Sequence, residues 1–310
     1  KSFDVNLLNI IVVYENNIPI AIFPFEIKNF KGLRVLQWLG SNHFDYCCPI
    51  ITEKNIFNYQ NFNFIFQKIL NKIKDYDIIF LNKQPEYIEN TPNPFVKFLD
   101  NDFHSKVYQI HLKDCDEDLL EVIKNKKFTN EFKRTKKKLL ESNHVEFSNS
   151  LFKNDDKMIE KIILNKINYL DKRKISHKIN KDFIKFYKYL NDKCPKNLFI
   201  GILKINGIEI AANIGIIENQ RYYYLLPIIF SEKFKSFSPG KILIHNLINW
   251  AKKNDVKTFD FGIGEEIYKK YWSNFSSKVF RHLDFKGLKG LSFYLLIQSY
   301  LKLKSAFKKP

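Results

Sequence analysis

Apolar and polar positions alternate through the first forty residues, and then the period changes. Asn9–Tyr14 reads as a strand, Glu15-Asn16-Asn17 as a turn, and Ile18–Ile27 as a second strand. A turn at Lys28–Gly32 leads into a third strand, Arg34–Leu39. Phe62, Ile65, Phe66, Ile69, Leu70 and Ile73 then recur at helical spacing and line one face of a helix. Asp77–Leu81 follows as a short apolar run of the kind found in buried strands.

The same order returns in the second half. Leu198–Lys204 is a strand, Asn206-Gly207 a strong hairpin turn, and Ile208–Ile217 the returning strand. Glu218-Asn219-Gln220 turns the chain into Arg221–Phe230. A helix from Pro239 to Lys253 puts Ile242, Leu243, Leu247, Ile248 and Ala251 on its buried side, and Val256–Phe261 follows as a strand. Ile20-Ala21 and Ile210-Ala211 occupy matching places in the two hairpins. A meander, a helix and a strand, written twice in one order, predict an α+β protein of two similar domains, each a mixed sheet flanked by helices. The expected bounds are 1–113 for the first domain, 114–286 for the second with a helical lead-in, and 287–310 for a C-terminal tail.

Composition adds charge to this picture. Of 310 residues, 45% are hydrophobic and 16% aromatic, enough for real cores. Lys and Arg number 51 against 33 acids, so the formal charge is 51 − 33 = +18, which predicts an anionic partner. Lysine-rich codon usage accounts for part of that total, so clustering is more telling. Lys124–Lys138 carries eight basic residues against one acid, Glu131, and reads as an anion-binding edge. Phe128 and Phe132 are its only aromatics, too few for a base-stacking surface. From Gly287 on, Leu288, Leu291, Phe293, Leu295, Leu296, Tyr300 and Leu301 mix with Lys289, Lys302, Lys304, Lys308 and Lys309, just after Lys286. That pattern is a basic amphipathic helix, expected either on an anionic membrane face or docked on the second domain. Cys47, Cys48, Cys115 and Cys194 show no metal-ligand or redox spacing. With no secretory signal and no spanning apolar run, the expectation is a cytoplasmic protein, peripheral to the inner membrane if the tail binds it.

Four stretches carry a family resemblance: NGIEIAANIG, RYYYLLPIIF, FSPGKILIHNLINWA and FDFGIGEEIYKKYW. They resemble the GNAT acyltransferases of the cellulose-biosynthesis type, tandem GNAT-fold proteins distantly related to the Fem-type peptidyltransferases that use aminoacyl-tRNA. Phe132–Phe147, FKRTKKKLLESNHVEF, is similar to the basic helix entering that family's second domain, and LQWLGSNHFDY to a segment of its first. The resemblance implies an acyl-CoA donor, most simply acetyl-CoA, with its pyrophosphate at the helix start Ser238-Pro239-Gly240-Lys241. The family's glycine-rich loop is reduced here to SPGK. The resemblance also implies two strands splayed near Pro227, where a backbone amide of Leu225 or Leu226 would polarise the acyl carbonyl.

Direct acyl transfer needs a base for the attacking group and an acid for the leaving group. Asp260 or Glu265 is placed to take the proton, Tyr268 to donate one, and Lys269 to bind an anionic acceptor. His43 and Asp45, two apart, would share one side of a strand and reach one acceptor. Arg173 and His177 are further acceptor contacts. No His/Cys cluster suggests zinc. The expected function is transfer of an acyl group from acyl-CoA to an amine or hydroxyl of a small-molecule or saccharide acceptor, such as a cell-envelope polysaccharide precursor. A Fem-like transferase using aminoacyl-tRNA or an acyl-carrier protein is the second reading, and a non-catalytic anionic-surface binding protein the third.

Overall fold

The computed structural model describes residues 7–52, 57–114, 120, 123, 125–150 and 155–306. Cys115, Lys124, Lys308 and Lys309 lie outside them. In chain order the first half forms β1 (Leu7–Glu15), β2 (Ile18–Phe30), β3 (Leu33–Trp38), β4 (Ile50–Ile51), α1 (Tyr59–Lys72), β5 (Ile78–Pro85), β6 (Tyr87–Ile88), β7 (Thr91–Pro92), α2 (Pro94–Phe98) and β8 (Asp102–His111). The second half forms α3 (Lys126–Ser142), β9 (Val145–Ser150), α4 (Asp156–Lys172), α5 (Lys181–Lys193), β10 (Leu198–Ile205), β11 (Ile208–Glu218) and β12 (Arg221–Ile229). It closes with α6 (Pro239–Lys253), β13 (Thr258–Ile263), α7 (Ile267–Trp272), β14 (Phe275–Phe285) and α8 (Gly287–Ala306).

Both meanders are built by the same local devices. Asn16-Asn17, Lys31-Gly32, Asn206-Gly207 and Asn219-Gln220 each place two successive residues at positive φ. Such turns twist with the strands they join, which is why Asn and Gly recur there. Between β1 and β2 the register steps from Val13↔Ala21 to Tyr14↔Pro19, leaving Ile20 as an extra residue. Between β10 and β11 it steps from Leu203↔Ala211 to Lys204↔Glu209, leaving Ile210 extra. The matching Ile-Ala pairs therefore mark the same one-residue bulge in each copy.

The chain divides into two compact units. One takes Val107–Ser276; the other takes the described residues up to Lys106 and those from Ser277 on. In the first of these, β9-β10-β11-β12-β13-β8 follow in order, with β12 and β13 parallel. In the other the order is β1-β2-β3-β5-β14, with β3 and β5 parallel and β4 on β2. These bounds differ from 113/114 and 286/287 because each copy is completed by a strand from the other half of the sequence. β8 follows the first copy but pairs with β13, Ile110 opposite Phe259. β14 follows the second copy but pairs with β5, Leu283 opposite Phe80.

In the unit of Val107–Ser276, Phe128, Phe132 and the apolar face of α6 pack on one side of the sheet, against Tyr222, Phe259 and Phe261. Ile159, Ile162 and Ile163 of α4, with Phe183 and Tyr187 of α5, cover the other side. In the second unit α1 packs on Phe23, Phe25, Leu36 and Trp38. The opposite face of that sheet takes α8, through Phe293, Tyr294 and Ile297 against Leu33, Ile78 and Leu283. The tail helix is thus docked on the first copy's sheet and not on the second domain, because β14 delivers it there. Gly290 allows the close approach, since a Cβ would run into the Asp77 carbonyl.

Asp77 fastens this helix. It accepts from the Arg34 backbone N–H at 2.9 Å, from Arg34 Nη2 at 3.3 Å and from Lys289 Nζ at 3.3 Å. Burial works against its charge, but the hydrogen bonds from Arg34 and Lys289 prevail and hold the carboxyl below its ordinary range. Its contribution is complete above the unfolded carboxylate value of about 3.9 and is lost as pH falls through the lower folded one. Amide protection factors along α8 should therefore be equal at neutral and mildly acid pH and should collapse only at strongly acid pH. Asp77→Asn should show that collapse already at neutral pH, by hydrogen exchange.

Candidate active site

β12 and β13 pair in parallel only along Arg221–Tyr223 and Thr258–Asp260. Beyond that they part, and the cause is local. Against β11 the register steps from Gly215↔Tyr224 to Ile214↔Leu226, so Leu225 is an extra residue. The bulge turns the strand over: Tyr222 and Tyr224 pack with Phe259 on the α6 side, whereas Leu226 and Ile228 pack with α4 and α5. Pro227 then has no N–H to offer a neighbour. β13 leaves through Gly262 and Gly264, at φ 69° and 133°. A fork opens between the two strand ends.

Asp260 sits at its root, fully buried. Its Oδ2 accepts from Gln109 Nε2 of β8 at 2.8 Å and from Arg221 Nη1 of β12 at 3.0 Å, and its Oδ1 from the Gly262 N–H at 2.8 Å. A carboxylate so engaged holds three strands together. Glu265 is exposed just beyond the fork. Tyr268 stands on α7, its ring edge-on to Phe261 at 6.2 Å. It lies near the buried Tyr224, whose phenol burial pushes far up, with Tyr268 adding to the effect.

Two lysines meet the open strand ends. Lys269 is buried; its Nζ donates to the Ile263 carbonyl at 2.6 Å and pairs with Glu266 at 3.1 Å. Lys166, from α4, donates to the Pro227 carbonyl at 3.0 Å. Burial lowers the Lys166 ammonium from its ordinary range; Glu266 opposes the shift and Lys269 adds to it. Lys166, Glu266 and Lys269 therefore form one electrostatic group around the fork. Sequence reading named Lys269 but missed Lys166. The signal was present: Lys166 falls in line with the buried Ile162, Ile163 and Leu170 of α4, an ammonium at the margin of the core. The Tyr169 ring lies 5.8 Å from Lys166 Nζ and 4.7 Å from the Arg173 guanidinium, so Arg173 belongs to the same row. His177 Nε2 is 2.9 Å from Asp171 Oδ1, beyond the end of α4.

The proposed donor loop is built differently from expectation. Ser238 is left-handed, φ 51° and ψ 59°, and makes no side-chain cap to α6. Its N–H is taken by the Lys235 carbonyl at 3.0 Å, Pro239 has none, and the Lys241 N–H returns to the Ser238 carbonyl at 2.9 Å. Lys241 Nζ lies 3.6 Å from Glu131 of α3 and 5.0 Å from the Phe128 ring, so it ties α6 to α3. Gly240 has room for a methyl group, which would meet only Ile229 at an ordinary 3.6 Å. His43 and Asp45 lie in the other unit, in the turn after β3 rather than on a strand, so sharing a strand face does not apply to them.

Residues 126–270, which contain the fork and this loop, match the model of the acetyltransferase (GNAT) domain family. Over these 145 of its 310 residues the chain is similar to the GNAT acyltransferases. Among curated proteins none matches it. Among solved structures FemX is similar at TM-score 0.60 and 11% identity, over 94% of this chain and 90% of that one. The C-terminal domain of a lysylphosphatidylglycerol synthetase from Agrobacterium fabrum follows at 0.58 and 9%, over 92% and 87%. A tandem GNAT protein from the clavulanic acid biosynthesis pathway gives 0.50 and 7%, over 92% and 85%. At these identities the likeness is one of fold, a tandem GNAT fold of mixed sheets flanked by helices.

Within the GNAT domain the buried Asp260 and the half-buried Lys166 should respond oppositely to removal. Asp260→Ala strips the acceptor from the buried Gln109 side chain and Gly262 N–H and from the half-buried Arg221, and should cost about 3 kcal/mol, at about 1–3 kcal/mol per orphaned buried donor. Lys166→Met replaces a half-buried ammonium by an apolar chain of similar length and should melt at or above the wild-type temperature. Thermal unfolding of the two variants checks both.

Proposed function

We propose that the GNAT domain transfers an aminoacyl group from tRNA to an amine or hydroxyl acceptor, by direct attack at the β12–β13 fork. The observation that carries this reading is the donor loop. Of the backbone donors in Ser238–Lys241, two are taken by neighbouring carbonyls and one is a proline, which leaves Gly240 alone at the helix start. A coenzyme A pyrophosphate needs several such donors together. A polyanionic carrier needs a basic surface instead, and α3 offers one. Lys133, Lys136 and Lys137 line a shallow hollow of about 440 Å³ with Leu120, Leu140 and Glu141. The likeness to FemX, and to an enzyme named for lysylphosphatidylglycerol synthesis, supports an aminoacyl group.

In this reading Lys166, pushed toward the neutral amine by burial, accepts the proton of the attacking group at Nζ. A backbone amide at Leu225 or Leu226 polarises the acyl carbonyl, and Tyr268 returns a proton to the leaving oxygen. Lys269 and Arg173 orient an anionic portion of the acceptor.

Acetyl transfer from acetyl-CoA, or another acyl-CoA, to a sugar or envelope-polysaccharide precursor is the second reading. It is favoured by the acetyltransferase family model and by the tandem GNAT protein, whose own description mentions AcCoA. The resemblance to the cellulose-biosynthesis type belongs with it.

Binding and melting separate the two. Aminoacyl-tRNA should bind with an affinity that falls steeply with salt, while coenzyme A and acetyl-CoA in large excess should leave the melting temperature unchanged. A clear upward shift with acetyl-CoA, and none with charged tRNA, would return the assignment to acyl-CoA. A shift with acylated carrier protein alone would replace tRNA by that carrier.

A further inference from the structure

The unit built on the first copy leaves one side of its sheet partly bare. In the GNAT domain the corresponding face is covered by the helix pair α4 and α5. Here, among the described residues, α8 covers β3, β5 and β14. On β1, Ile11 and Val13 pack toward α1, so Leu8, Ile10, Val12 and Tyr14 point to the α8 side, and all four are exposed.

α8 is itself apolar on two sides. Phe293, Tyr294 and Ile297 face the sheet. Leu288, Leu295, Leu296 and Tyr300 face away from it and are 86%, 55%, 64% and 62% exposed. Ser292 and Ser299 lie among them, and both hydroxyls donate to carbonyls of the same helix, Lys289 and Leu295, at 2.8 Å. The outer stripe therefore has few groups that require water among its described side chains. An exposed apolar row on a helix beside a second row on the same side of the sheet exceeds what isolated surface leucines explain.

The charge around this surface selects its occupant. From Gly287 to Pro310 there are five lysines and no acid, in a chain of formal charge +18. A second copy would bring two such lysine-rich helices together, against their repulsion. An anionic bilayer matches both features: apolar side chains enter the headgroup boundary and lysines meet the lipid charge. We propose that this face, the outer stripe of α8 with the exposed row of β1, lies on the surface of an anionic membrane. It is independent of the donor carried by the GNAT domain.

The experiment is vesicle flotation of the full chain. Vesicles of phosphatidylcholine with about 30% phosphatidylglycerol should carry the protein, while pure phosphatidylcholine and high salt should release it. Leu295→Ser/Leu296→Ser should reduce partitioning more than about tenfold, since each leucine would otherwise bury its side chain in lipid. Leu8→Ser/Ile10→Ser should reduce it independently, and both variants change exposed positions, so their melting should match the wild type. Absence of wild-type flotation on the anionic vesicles overturns the proposal, as does flotation indifferent to both variants. A dimer in solution that both variants dissolve, with no flotation, would make this face a contact between copies and overturn it equally.

Discussion

The carboxylate of Asp260 decides where two parallel strands stop being neighbours. It accepts from Gln109 of β8, Arg221 of β12 and the Gly262 backbone at once, so β8, β13 and β12 are clamped at one level of the sheet. Above that level the bulge at Leu225 and the missing N–H of Pro227 withdraw the ladder. A fork between parallel strands is costly unless its base is held and its loose carbonyls find donors. The base is held by a buried charge with three partners. The carbonyls of Pro227 and Ile263 find Lys166 and Lys269. Charge, gap and the groups around it are thus one arrangement, and the site's electrostatics follow from the need to finish an interrupted sheet.

Duplication explains why the fork occurs in one copy. The two meanders share turn chemistry and the Ile-Ala bulge. They differ at the third strand. β3 pairs with β2 in unbroken register from Phe30↔Leu33 to Phe25↔Trp38, with no extra residue. Its counterpart β12 carries Leu225 and Pro227. The copies also differ in what covers the second face of the sheet. α4 brings Lys166 to the fork in one unit, whereas α8 covers the matching face in the other. One copy has the fork between β12 and β13. The other offers a face whose remaining apolar surface is open.

The turns, strands and helices of both copies were legible because they rest on local rules: alternation, helical spacing, and Asn or Gly where φ is positive. The surroundings of the candidate site residues were only partly legible, for a definite reason. Tyr268 and Lys269 do stand at the fork. Asp260 was recognisable as an inward-pointing strand carboxylate, but its partners Gln109 and Arg221 come from β8 and β12, far away in the chain. Lys166 was passed over because a lysine in a lysine-rich helix looks solvated until its neighbours on the wheel are seen to be buried. Ser238 and Lys241 kept the look of a capped helix start, yet both of their backbone donors are taken by neighbouring carbonyls.

By itself the sequence determined the meander, helix and strand of each copy and their doubled order, since each follows from spacing along a few residues. The tertiary structure alone decided which strand completes which sheet. β8 and β14 are ordinary alternating strands, and nothing within them says that each pairs with the copy it does not follow. That exchange carries the tail helix to the first copy. It also sets Gln109 beside Asp260. Pairing of distant strands is chosen by the total burial and hydrogen bonding of the folded chain, a sum that no local window contains.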